Sequence, residues 1–223
     1  MVWEGRSREA PPYPDCAVAL PVHADTAQDP ALVAAAARGD VPALRNLLDA
    51  GASVAARDTQ GRTALLAATH ENRIEAARVL IAAGADVNAK DHIEDSPFLY
   101  AGAVGRDETL KMTLAAGADL KSTNRYGGTA LIPAAHHGHA GTVQILLATP
   151  IDKDHVNKLG WTALLEAVIL GDGGPAYTDI VRQLAAAGAN VNLAVRDGVT
   201  PLAHAGSRGF AAIGRILEAA GGR

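Results

Sequence analysis

DTQGRTALLAATHENRIEAARVLIAAGADVNAK, residues 58–90, is the stretch whose reading decides the fold. Gly61 permits a tight turn, and Thr63 stands where its hydroxyl can cap the helix that follows. Ala64 to Glu71 reads as a short first helix of mostly small side chains. Arg73 to Ala83 reads as a second, with Ile74, Ala77, Leu80 and Ile81 at helical spacing. Gly84 then ends it in the left-handed conformation that a C-terminal cap prefers. Ala85-Asp86-Val87-Asn88 leads out to a hairpin-like tip that opens the next unit at Asp91.

Outward from this stretch the pattern repeats. Chain reversals fall at Gly51, Gly84, Gly117, Pro150, Gly188 and Gly221, in steps of 33, 33, 33, 38 and 33 residues. Thr63, Ser96, Thr129, Thr162 and Thr200, at the capping position, keep the same beat. Two landmarks that share one period and one five-residue excess describe stacked supersecondary units, each unable to bury its apolar face alone. A solenoid offers an extended surface before it offers a deep pocket.

Composition restricts the function classes. Apolar residues make up 48% of the 223 and charged residues 20%, which closes a core and keeps a charged surface. Aromatics are only 4%, so Ala, Leu, Val and Ile carry the packing. A net charge of −4 argues against nucleic-acid binding, which needs a dominant basic face. Cys16 stands alone, so neither an intrachain disulfide nor a cysteine-based zinc site can form. No segment reaches the roughly 18 apolar residues of a membrane helix. Residues 1–28 read as a flexible leader with Pro11, Pro12, Pro14 and Pro21. Its run Cys16-Ala17-Val18-Ala19-Leu20 is short for a secretion signal. The cytoplasm is therefore the expected compartment, with a periplasmic or secreted destination as the alternative that Val22-His23-Ala24 suggests.

Gly61-x-Thr63-Ala64-Leu65, Ala68, and Leu80 through Asn88 together resemble an ankyrin repeat. The pattern returns at Gly127-Gly128-Thr129-Ala130-Leu131 with Gly138-His139, at Gly160-Trp161-Thr162-Ala163-Leu164, and at Gly198-Val199-Thr200-Pro201-Leu202. Ala187-Gly188-Ala189-Asn190-Val191-Asn192 repeats the exit. The resemblance implies an all-α solenoid of about six helix-turn-helix units with hairpin-like tips over residues 29–223. The units fall at about 30–57, 58–90, 91–123, 124–156, 157–194 and 195–223.

Departures from the pattern carry information. Glu94 stands where the turn glycine is usual and Gly102 lies inside a first helix; both are expected to loosen the third layer. Thr149-Pro150 replaces Gly-Ala, and proline cannot take a positive φ, so that exit must bend differently. The fifth unit holds five extra residues, Asp172-Gly173-Gly174-Pro175-Ala176, expected to form an exposed loop. That loop lacks the Lys-Ser/Thr of a phosphate-binding loop.

In ankyrin-like stacks partners meet the concave side, built from tips and inner helices. Transferring that frame selects Tyr100, Arg125, Tyr126, His136, His137, Lys158, Trp161, Glu166, His204 and Arg208 as candidate partner-binding residues. Tyr100, Tyr126 and Trp161 bring scarce aromatics to one side, and aromatics and arginines anchor interfaces most often. Successive helices lie about 8–10 Å apart, which lets Glu166 approach His136, His137 or His204 beneath Trp161. The alternative reading is accordingly a small-molecule or enzymatic site centred on Trp161, Glu166 and these histidines. His136-His137-Gly138-His139 is not expected to bind metal, because neighbouring helical side chains diverge by about 100°. The expectation is thus a monomeric, non-catalytic module that binds a protein partner through the third to fifth repeats. It needs no cofactor and contacts neither nucleic acid nor membrane.

Overall fold

A computed structural model describes residues 28–223. The leader, Cys16 and the cleavage-like stretch lie outside the described residues. Among the described residues there are twelve helices and no strands, arranged as six antiparallel pairs. The pairs are α1 Gln28–Arg38 with α2 Val41–Asp49, α3 Ala64–His70 with α4 Ile74–Ala82, and α5 Pro97–Ala103 with α6 Asp107–Ala115. They continue as α7 Leu131–His136 with α8 Ala140–Leu147, α9 Ala163–Ile169 with α10 Pro175–Ala186, and α11 Pro201–Ser207 with α12 Ala211–Ala219. First helices pack on first helices down the chain, and second on second. The result is a two-layered solenoid of helix pairs, as the repeat pattern implied.

Small side chains make this stacking possible. All of Ala64 to Thr69 in α3 are buried, as are Ala163 to Val168 in α9. Gly102 belongs to the same logic: a Cβ there would lie 2.9 Å from the Ala130 Cβ. The glycine therefore lets α5 press against the start of the next unit, and it tightens the third layer where loosening was expected. Glu94 does carry strain, holding φ +65° where Gly61, Gly127, Gly160 and Gly198 sit between +72° and +87°. A non-glycine side chain in that region costs about 1–2 kcal/mol.

Helix ends follow the sequence, with two exceptions. Thr63, Ser96, Thr162 and Thr200 each accept a capping bond from the N–H three residues on. Each such cap contributes about 1 kcal/mol. The Thr129 hydroxyl is buried without a partner. Pro133 has no N–H to offer the Thr129 carbonyl, which instead takes the Ile132 N–H at 3.1 Å and delays the helix to Leu131. At the other end, Ala52, Ala85, Ala118, Ala189 and Gly222 close the helix-terminating bond back to residues 47, 80, 113, 184 and 217. After α8 the chain bends differently, as Pro150 requires. Here the Thr149 hydroxyl donates to the Leu146 carbonyl at 2.6 Å.

The insertion is less of a loop than expected. Pro175 and Ala176 extend α10 to twelve residues, with Pro175 in the first turn. Gly173 lies against the Phe210 ring. From α10, the Tyr177 hydroxyl donates to the His136 carbonyl at 2.9 Å. The lengthened α10 thus clamps the end of α7 through Tyr177, the residue that follows the insertion.

Candidate functional site

Four tips set the floor of the concave side, and a side chain closes each one. The Oδ1 atoms of Asp58, Asp91, Asn124 and Asn157 each accept two backbone N–H bonds, from residues two and four further on, at 2.9–3.0 Å. Such local acceptors stabilise turns without strand pairing. The residue type still matters. Asparagine has an amide to spare, whereas aspartate does not.

Asn157 uses that amide. Its Nδ2 donates to Glu166 Oε1 at 2.9 Å, while Glu166 Oε2 lies 2.9 Å from His136 Nδ1. When Glu166 is ionised its carboxylate only accepts, and the bond then requires the His136 proton on Nδ1. Glu166 is only 4% exposed, and burial raises its pKa above the ordinary glutamate value. The attraction and hydrogen bond of His136, and then the Asn157 bond, oppose that rise without cancelling it. Burial lowers His137, with its histidine neighbours adding to the effect. Asp95 is raised by burial and by the Asp91 carboxylate, against the pull of Arg125.

Around this group lies a cavity of about 380 Å³. It brings together six of the ten candidate residues: Tyr100, Arg125, Tyr126, His136, His137 and Glu166. Tyr100 is held flat by stacking on His70 at 3.7 Å, and Arg125 covers the Tyr126 ring at 4.8 Å. The other four lie elsewhere. Lys158 is exposed at its tip with Nζ donating to the Arg125 carbonyl at 2.8 Å. Trp161 does not line the cavity, so the two tyrosines supply its aromatic wall. His204 does not reach it either, and its Nε2 is buried without a partner. Arg208 binds the Ile169 carbonyl and, at 2.8 Å, the Gly171 carbonyl, and lies over Phe210. It caps the end of α9, a duty internal to the fold.

Sequence reasoning missed Asn124, Asn157, Ile93 and Leu159. Ile93, Tyr126 and Leu159 are 49%, 55% and 55% exposed on successive tips. They recur every 33 residues, the period already in hand, so alignment on the tips would have found them. Among the described residues no three His, Cys, Asp or Glu side chains gather as a metal site. No described helix is long and apolar enough to cross a membrane.

A family model of ankyrin repeats (three copies) matches residues 13–91 and 98–195, so the chain belongs to the ankyrin repeat family. Repeats of this family are generally protein–protein interaction modules, and the fold is typically non-enzymatic. Among solved structures, an ankyrin repeat domain from Acinetobacter baumannii AYE is 56% identical. Its TM-score is 0.85, and the alignment covers 86% of this chain and 98% of that one. A second ankyrin repeat protein is 43% identical with a TM-score of 0.83, at the same coverage of each chain. No curated protein matches.

Proposed function

We propose that this protein is a non-catalytic interaction module that binds a protein partner on the concave side of the third to fifth pairs. One observation carries the reading. Ile93, Tyr126 and Leu159 form an exposed apolar row along three tips, and Tyr126 and Leu159 also line the cavity. Contiguous exposed apolar surface beside polar groups marks interaction sites, and a tyrosine in a pocket wall is a common energetic anchor. Glu166 is suited to shaping this surface: both of its oxygens are engaged by side chains on other elements.

The test compares pull-downs by the wild-type chain and by a Tyr126→Ala/Leu159→Ala variant, with the outer-face variant Arg78→Ala as control. The concave reading predicts a protein retained by the control and reduced tenfold or more by the double variant. Equal retention by all three chains would overturn it.

A further inference from the structure

The cavity and the tip row together define the chemistry of the partner segment, an inference that rests on the concave-face reading above. The cavity walls hold two carboxylates, Asp95 and Glu166, against one permanent cation, Arg125. Among the described residues Asp95 closes no ion pair. Arg125 lies over the Tyr126 ring. Glu166 accepts one bond on each oxygen, and a carboxylate oxygen has room for about two. His137 is held toward its neutral form by burial, so it adds no fixed positive charge at neutral pH. Burial raises both carboxyl groups, and an incoming cation favours their charged forms, so two carboxyl groups with acceptor capacity against one guanidinium suit a cationic occupant.

Geometry narrows the choice. An ammonium is a compact, strongly hydrated charge, whereas a guanidinium is planar, less hydrated and able to lie on an aromatic face. Tyr100 presents a ring held flat on His70, beside the carboxylates. Helices packed layer on layer are expected to lie about 8–10 Å apart, which sets the scale for the tips that they carry. A polyproline-II segment has three residues per turn and rises about 3.1 Å per residue, so every third side chain faces one way at roughly 9 Å intervals. That interval is close to the general spacing of packed helix layers, and Ile93, Tyr126 and Leu159 recur once per layer, 33 residues apart.

We propose that the concave face takes an extended partner segment with apolar side chains at every third position resting on Ile93, Tyr126 and Leu159. An arginine of that segment enters the cavity, its guanidinium toward Asp95 and Glu166 and its stem against Tyr100 and Pro133.

The experiment selects a random peptide library on the immobilised full chain and measures the affinities of resynthesised binders by fluorescence anisotropy. Selected peptides are expected to carry an arginine among apolar residues spaced by three. Replacing that arginine by citrulline, which keeps shape and loses charge, should weaken binding tenfold or more to the unaltered chain. Asp95→Asn should weaken the arginine peptide to a similar degree and leave the citrulline peptide unchanged. Binders that are acidic or uncharged, or a citrulline effect below twofold, overturn the arginine assignment. If such binders are still lost with Tyr126→Ala/Leu159→Ala, the concave-face reading survives alone. Binders indifferent to that double variant, or no enrichment at all, overturn both.

Discussion

The second and fifth layers have the same backbone plan and opposite interiors. In the second, Ala67 faces the groove position and is buried among small side chains, with Asp58 closing the tip. In the fifth, Glu166 takes the corresponding place and Asn157 closes the tip. The preceding layer supplies His136 to the carboxylate, where the layer before Ala67 supplies Ala37. Three coordinated changes therefore turn a plain spacer layer into one that holds a buried acid. The lesson is physical: a carboxylate survives at this depth only with a donor from its own tip and another from the neighbouring layer.

The largest effect should come from breaking that coordination. Ala67→Glu puts a carboxylate into the second layer with Ala37 standing where the preceding layer would need His136, and an aspartate at the tip. Urea denaturation should show a loss of roughly 3–5 kcal/mol, the cost of an uncompensated buried charge. Next in size is Asn157→Asp, which keeps the turn acceptor and replaces the amide donor with a second acid facing Glu166. A loss of about 2 kcal/mol at pH 7 is expected, shrinking as the pH is lowered and the pair takes up a proton. An unchanged midpoint at pH 7 would mean that the Asn157 bond contributes nothing.

Glu166→Gln should be milder, because its amide oxygen still accepts from Asn157, its amide nitrogen can donate to a His136 whose proton has moved to Nε2, and the charge is removed. At pH 7 its stability should lie within about 1 kcal/mol of wild type, or above it. Its pH dependence is more informative. The folded-state pKa of Glu166 is raised, so its contribution to stability is fully present below the ordinary glutamate value and is lost as the pH climbs through the folded value. Wild type should thus lose stability relative to Glu166→Gln between pH 4 and pH 7; the opposite slope would show that His136 outweighs burial. Smallest is Glu94→Gly, which relieves the left-handed strain in the third layer and should gain roughly 0.5–1 kcal/mol.

How much of this was legible beforehand differs between fold and site. The fold follows from residues that act locally: glycines such as Gly84 that end helices, threonines such as Thr63 that start them, and leucines at helical spacing. These signals recur five or six times, and each copy supports the others. The site depends on contacts between layers, which no local pattern encodes. Packed helices bring residues about one repeat apart together, and of His136, His137 and His204, the three offered to Glu166, only His136 bonds to it. The same spacing offers Trp161 and His204 to the same place, yet neither lines the cavity. Arg208 is a candidate for partner binding by its place in the repeat, but its guanidinium is engaged by the Ile169 and Gly171 carbonyls across the layers. The Asn124 and Asn157 tips were periodic and simply unread. Their role needed a question about where the turn N–H groups are satisfied.

The concave side of the central layers is the proposed working surface. Hydrogen–deuterium exchange on the full chain, with and without the protein that it retains in a pull-down, tests this most directly. Protection is predicted in peptides covering residues 91–104, 124–137 and 157–170, where tips and first helices lie. Protection confined to the outer helices, at Ile74–Ala82, Asp107–Ala115 and Ala140–Leu147, would contradict it.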